Sequence, residues 1–80
     1  MQVRVVAFAA ARELIGSSLN LALSPDARVR DAWRALERSY PALTAHAASM
    51  RVARNGRLAN DDEQLHEGDE IAVMPPVGGG

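Results

Sequence analysis

The chain of 80 residues is 48% hydrophobic and 24% charged, with a formal net charge of −1, which allows one compact domain and argues against a general nucleic-acid binder. Because it holds no cysteine and no lysine, it excludes disulfides, thiolate metal sites, a cysteine nucleophile and any side-chain amine that could receive an acyl group. No apolar run in the sequence is close to the length of about 20 residues that a membrane-spanning helix needs, so we expect a cytoplasmic protein.

The N-terminal part of the chain predicts an antiparallel pair of strands. Gln2–Phe8 is rich in β-branched residues and alternates between two faces. One face is formed by Val3, Val5 and Ala7, and the other by Arg4, Val6 and Phe8. A short helical turn follows and ends at Gly16, a typical glycine after a helix. Ser18–Leu23 alternates again, and the simplest topology pairs it antiparallel with the first strand.

The middle of the chain predicts one main helix that packs on the sheet. A turn at Pro25-Asp26 marks its entry. Its apolar residues recur at helical spacing and form one core-packing stripe of Val29, Ala32, Trp33, Leu36 and Tyr40. Pro41 ends the helix, because the residue before a proline avoids the helical conformation. Residues 42–49 are predicted as either a second short helix or an irregular crossover.

The C-terminal part predicts a tight hairpin and a last strand. Asn55-Gly56 is the strongest short hairpin signal, since a type I′ turn needs positive φ at both central residues. A Gly68-Asp69 turn leads into the last strand, Glu70–Met74, in which Ile71 and Val73 share a face.

The order β-β-α-β-β-β, with the helix in the middle, predicts a two-layer α+β domain. The first and last strands would lie side by side and parallel at the sheet centre. This arrangement is the ubiquitin-like β-grasp, with a mixed sheet of four to five strands and one main helix on one face. We predict a globular domain over residues 1–74 and a flexible tail over residues 75–80.

The side chains of the chain form no catalytic constellation of their own. His46 and His66 lie far apart without ligand spacing, and both are interpreted as surface residues. The acidic run Asp61–Glu63 lacks the alternating oxygen ligands of a calcium loop, so we interpret it as a solvated turn. We therefore predict no bound metal and no permanently bound cofactor.

An exposed apolar face predicts a partner surface. The alternation that buries Val3 and Val5 under the helix directs Val6, Phe8 and Met74 outward. Leu58, just past the hairpin turn, is expected to join them. A contiguous apolar patch on a small domain usually marks an interaction site.

The last six residues, "PPVGGG", form a stiff spacer followed by bare backbone. Pro75-Pro76 favours an extended departure from the last strand, and six extended residues reach roughly 20 Å. Gly78, Gly79 and Gly80 would fit a channel too narrow for any Cβ. Judged by composition alone, the same residues fit a frayed terminus equally well.

The stretch "LHEGDEIAVMPPVGGG" resembles the C-terminus of the MoaD-type sulfur carriers, the small subunits of molybdopterin synthase in the MoaD/ThiS ubiquitin-like family. That family ends in a Gly-Asp-Glu turn, an apolar strand and Pro-Pro-Val-x-Gly-Gly. Here Gly78 occupies the variable position, and Gly79-Gly80 is the diglycine. "VVAFAAARELIG" resembles the family's first strand and the helical turn after it, so the resemblance covers essentially the whole chain.

The resemblance implies that a partner related to E1 enzymes adenylates the Gly80 carboxylate with ATP and magnesium. The product becomes a thiocarboxylate, which gives its sulfur to cyclic pyranopterin monophosphate in the large synthase subunit. The small subunit would thus donate sulfur and have no catalytic site of its own. The implied assembly is a heterotetramer of two small and two large subunits, without nucleic acid or membrane. The implied reactive residues are Gly79 and Gly80, and the implied partner-binding residues are Phe8, Arg12, Leu58, Met74, Pro75, Pro76, Val77 and Gly78.

Three alternatives stay open. The chain would also fit a sulfur carrier for thiazole, cysteine or tRNA thiolation, which shares the diglycine and the adenylation step, although the Pro-Pro-Val run and the chain length favour the molybdopterin pathway. It would also fit a ubiquitin-like modifier that joins Gly80 to lysines of other proteins, or an interaction module with an incidental tail.

Overall fold

Five strands form one mixed sheet in the computed structural model, which describes residues 1–75 of the chain. The strands are β1 (Gln2–Ala7), β2 (Ser18–Ala22), β3 (Arg51–Arg54), β4 (Arg57–Leu58) and β5 (Glu70–Met74). The helices are α1 (Ala9–Ile15) and α2 (Val29–Ser39), followed by a 3₁₀ helix over Pro41–Ser49. The segment left open by the sequence is therefore helical, and Pro41 lies at its start.

The strand order across the sheet is β2-β1-β5-β3-β4. β1 pairs antiparallel with β2 and parallel with β5, and β3 pairs antiparallel with both β5 and β4. Because the chain reaches β5 through α2 and the later strands, the first and last strands become neighbours near the middle of the sheet. The predicted ubiquitin-like β-grasp is confirmed, together with its parallel pair.

The core lies between α2 and the face of the sheet predicted to be buried. Val3, Val5, Ile71 and Val73 are buried from the sheet side, and Val29, Ala32 and Leu36 from the helix side. Trp33 and Tyr40, predicted on the same stripe, are half-buried and pack against this core at its edge. The helical periodicity is confirmed, but these two aromatic side chains lie at the boundary of the core.

The turns have the backbone that their residues require. Asn55 and Gly56 have φ values of 51° and 85°, so the predicted turn with positive φ at both central residues is confirmed. Gly16, at the end of α1, has a φ of 88°. Ala9 has a φ of 52°, a left-handed conformation that costs about 1–2 kcal/mol in an L-residue and turns the chain sharply from β1 into α1. Within residues 1–75, no helix combines the length and the apolar character needed to cross a membrane.

Candidate functional site

The sheet face that points away from α2, here called the open face, carries a continuous apolar row. Val6 pairs with Ala72, Ala72 with Ala53, and Ala53 with Leu58. Directly paired residues point to the same side of a sheet, so this row runs across four adjacent strands. Leu58 closes the row at the sheet edge with 64% of its surface exposed.

A second row lies beside the first, at the end of the sheet where β5 finishes. Phe8 keeps the extended backbone of β1, and its N–H donates a 3.0 Å hydrogen bond to the carbonyl oxygen of Val73. The parallel register therefore continues and aligns Phe8 with Met74. Met74 in turn pairs with Arg51 on β3. Phe8 is 52% exposed, which is unusual for so large an apolar side chain at a strand end.

The accessible residues of these two rows define one surface, which we call the apolar patch: Val6, Phe8, Leu58, Ala72 and Met74. Ala53 belongs to the first row but is itself buried. The four side chains expected on the open face, Val6, Phe8, Leu58 and Met74, are all on it. The patch is bounded on one side by charge, because the next row along the strands contains Arg4 paired with Glu70. A contiguous apolar surface with a polar border is typical of a protein-binding site.

Arg12 lies beside the patch, at the same end of the sheet. Its N–H donates a 3.4 Å hydrogen bond to the carbonyl oxygen of Phe8, which places it one helical turn after that residue. α1 buries Ala11 and Ile15 and leaves Arg12 exposed. The structure thus places Arg12 close to Phe8, and the contact of both residues with a partner stays a prediction.

A buried carboxylate, which the sequence reasoning missed, connects the hairpin to β5. Asp69 is 8% exposed, and its oxygens accept hydrogen bonds from Asn55 Nδ2 at 2.9 Å, the His66 N–H at 2.8 Å and Arg54 Nη1 at 3.2 Å. Burial alone would raise the pKa of Asp69, but these three donors outweigh it and hold the pKa below its ordinary value. The two turn signals, Asn55-Gly56 and Gly68-Asp69, indicated turns but not their contact.

The same cluster fixes the register of the open face. The N–H of Asn55 donates to the carbonyl oxygen of Glu70 at 2.8 Å, and its side-chain oxygen accepts from the N–H of Glu70 at 2.9 Å. These bonds hold the β3–β4 hairpin against the start of β5. A slip by one residue would move Leu58 to the opposite face. The apolar patch therefore depends on the hydrogen bonds between Asn55 and Glu70.

The two histidines and the acidic run Asp61–Glu63 lie on the surface or take part in structural hydrogen bonds. His46 and His66 are both exposed, as predicted. Within the acidic run, Glu63 is bound to Arg54 at 3.4 Å and accepts the N–H of Asn60 at 2.8 Å. In the part of the chain that the structure describes, no group of three or more histidine, aspartate or glutamate side chains could hold a metal ion.

The tail begins at the patch. Pro75 follows Met74 directly and is half-buried. The other predicted tail residues lie outside the described residues: Pro76, Val77, Gly78, Gly79 and Gly80. Since β5 lies between β1 and β3, the chain enters its tail beside Phe8 and Arg51.

Comparisons with known proteins identify the family and the fold of this chain. The model of the ThiS family matches residues 5–80. The molybdopterin synthase sulfur carrier subunit of Chlamydomonas reinhardtii is 32% identical over all of both chains. The crystal structure of small archaeal modifier protein 1 from Haloferax volcanii has a TM-score of 0.86 and 33% identity, and the match covers 95% of this chain and 98% of that one.

A third similar structure contains a partner. It is the complex of subunits 1 and 2 of the molybdopterin-converting factor from Helicobacter pylori, and it matches with a TM-score of 0.72 and 25% identity over all of both chains. In that protein, a chain with this fold therefore binds a second subunit.

Proposed function

The chain belongs to the ThiS family of ubiquitin-like sulfur carriers, and we propose that it is the sulfur carrier subunit of a molybdopterin synthase. In this proposal, an enzyme related to E1 adenylates Gly80 with ATP and magnesium. Adenylation releases pyrophosphate, and hydrosulfide then attacks the acyl carbon, displaces AMP and leaves a thiocarboxylate. That sulfur passes to cyclic pyranopterin monophosphate in a large subunit, and one large subunit joins each small subunit in a heterotetramer.

The observation that carries this proposal is the continuity between the apolar patch and the strand that leads into the tail. Met74 belongs to the patch and is followed at once by Pro75. A partner that covers Phe8, Leu58 and Met74 would therefore also receive the tail. Burial of these side chains would supply binding free energy, while the reacting atom stays on a segment without side chains.

The proposed roles of this chain and its partners follow from the chemistry of a carboxylate. A carboxylate is a poor electrophile and needs activation, and the resulting acyl adenylate hydrolyses in water, so its pocket must exclude solvent. A thread of Gly78, Gly79 and Gly80 allows close approach of the surrounding protein. This chain would supply the docking surface and the carboxylate, and each partner would supply its own active site.

One surface would serve both partners in turn. The activating enzyme and the large subunit would each need to cover the apolar patch in order to receive the tail. The two complexes would therefore be mutually exclusive, and the carrier would have to dissociate from one before it reacts in the other.

A second candidate function is protein modification, which the likeness to small archaeal modifier protein 1 favours. In that case Gly80 would form an isopeptide bond with a lysine of another protein. The absence of lysine in this chain would prevent it from forming lysine-linked chains with itself. A carrier for another sulfur pathway shares the same adenylation step.

Intact-mass measurement separates these functions. The full chain would be incubated with the E1-like enzyme of its own organism, ATP, magnesium and a sulfur source. Replacement of one carboxylate oxygen by sulfur on the free chain would support a carrier, and production of molybdopterin with the large subunit would identify the pathway. Adducts on lysines of other proteins would support a modifier, and an unchanged mass would contradict both.

A further inference from the structure

The charges around the apolar patch are unevenly distributed. At the end far from the tail, Arg4 pairs with Glu70, so the border there contains both signs. At the end where β5 finishes, Arg51 lies directly beside Met74, and Arg12 lies one helical turn after Phe8. Both arginines are exposed, and within residues 1–75 neither forms an ion pair.

In the part of the chain that the structure describes, no acidic side chain lies within salt-bridge distance of these two cations. Glu70 is the acidic residue of β5, and its cross-strand neighbour is Arg4. Glu13 follows Arg12 in α1 and is also exposed, but successive helical residues point in different directions. Residues 76–80 carry no charged side chain. The tail therefore begins between two arginines, Arg12 and Arg51, which we call the arginine pair.

Resting on the proposed function, we propose that the arginine pair binds carboxylates of the activating enzyme, at the rim of the opening that receives the tail. Arg51 is the new element, because neither the sequence pattern nor the family resemblance assigned it a role. Arginine presents a planar fork of donors that matches a carboxylate and keeps its charge at any ordinary pH.

The activating enzyme is the partner for which this attraction matters most. Adenylation brings the anionic carboxylate of Gly80 towards the negatively charged phosphates of ATP. Attraction between the arginine pair and carboxylates at the rim offsets that repulsion during the encounter. Charges at the rim of an interface act mainly on the association rate and its dependence on salt.

The chain offers a matched control on the same hairpin. Arg57 is exposed and pairs with Arg54, whose other neighbour is the core residue Ile71. Arg57 thus belongs to the opposite face from Arg51, although it is close in sequence. R51E and R57E change the net charge equally. A difference between their reaction rates would therefore come from the position of the charge and not from the total charge.

The test is the rate of pyrophosphate release by the activating enzyme with the carrier below saturation, measured at low and high ionic strength. For R51E we expect a fall of about tenfold at low salt that shrinks as salt is added, and for R57E a rate close to that of the wild type. R12E should behave like R51E, R51Q should show a smaller fall, and circular dichroism should show the native fold in each.

Each outcome is decisive. Equal rates for R51E and the wild type, or equal falls for R51E and R57E, would overturn the role of the arginine pair. A fall only in binding to the large subunit would assign it to the other partner and overturn this inference as well. Absence of any adenylation of the wild-type chain would instead contradict the proposed function itself.

Discussion

Asp69 accepts a 2.9 Å hydrogen bond from the side chain of Asn55, across 14 positions of sequence. This bond connects the turn of the β3–β4 hairpin to the residue that precedes β5. Because β5 carries Met74 and leads into the tail, the contact links the hairpin side of the apolar patch to its tail side. This hydrogen bond thus connects the two segments that carry Leu58 and Met74.

Replacement of Asp69 should destabilise the fold. D69A leaves Arg54 and the Asn55 side chain without their buried acceptor, and we expect a loss of about 1–3 kcal/mol in the free energy of unfolding. Urea denaturation measures it. D62A is the control, since Asp62 is exposed and contributes only its backbone carbonyl to a hydrogen bond with Arg28. Equal stabilities of the two variants would contradict a stabilising role for the hydrogen bonds of Asp69.

Acid should weaken the same contact. The pKa of Asp69 is held below its ordinary value of 3.8, so the folded state favours the charged form more than the unfolded state does. The resulting stability is fully present above the ordinary pKa and is lost as the pH falls through the lower, folded-state pKa. D69N should therefore lose less stability than the wild type between about pH 5 and pH 2. Urea denaturation at several pH values measures this difference. An equal loss of unfolding free energy with falling pH in D69N and in the wild type would contradict the role of Asp69.

Truncation of the apolar patch should weaken partner binding without harm to the fold. F8A and M74A should each weaken the binding free energy of the partner complexes by about 1–2 kcal/mol, which raises the dissociation constant about 5- to 30-fold. Isothermal titration calorimetry with the large subunit or the activating enzyme measures this. R34A, on the exposed side of α2, is the control and should bind normally. Unchanged affinity in both patch variants would show that the patch is incidental.

Trp33 should contribute less to stability than a fully buried residue of α2. The stripe pattern alone predicts a loss of about 3–5 kcal/mol for W33A. Because Trp33 is half-buried at the core edge, we now expect about 2 kcal/mol, against about 3–4 kcal/mol for L36A at a fully buried position. Thermal and urea unfolding of the two variants checks the order. A larger loss in W33A would contradict this placement of the core.

The end of the chain should be intolerant of any change in length. Removal of Gly80, or addition of one residue after it, should abolish thiocarboxylate formation and sulfur transfer, because the reacting carboxylate moves by about 3.5 Å along an extended chain. Amide hydrogen exchange should show an unchanged domain. Full activity with an added C-terminal residue would contradict the proposed role of Gly80.

Local sequence patterns were enough to predict most of the helices and strands and the two faces of the strands. Alternation in β1 and β5 separated the buried Val3 and Ile71 from the outward Val6 and Met74, because side chains along a strand change sides at every residue. Asn55-Gly56 determined the hairpin, since few other residue pairs accept positive φ at both central positions. These signals are local, and each can be read without knowledge of the rest of the chain.

Which residues from distant segments lie next to one another depends on the fold of the whole chain. Alternation indicates a face but not the adjacent strand, so it could not place Arg51 beside Met74 or bring Asp69 to Asn55. The half-burial of Trp33 likewise depends on where the 3₁₀ helix and the hairpin end relative to α2. These relationships arise from pairing between distant segments, whose register follows from the packing of the whole sheet and not from any single stretch of sequence.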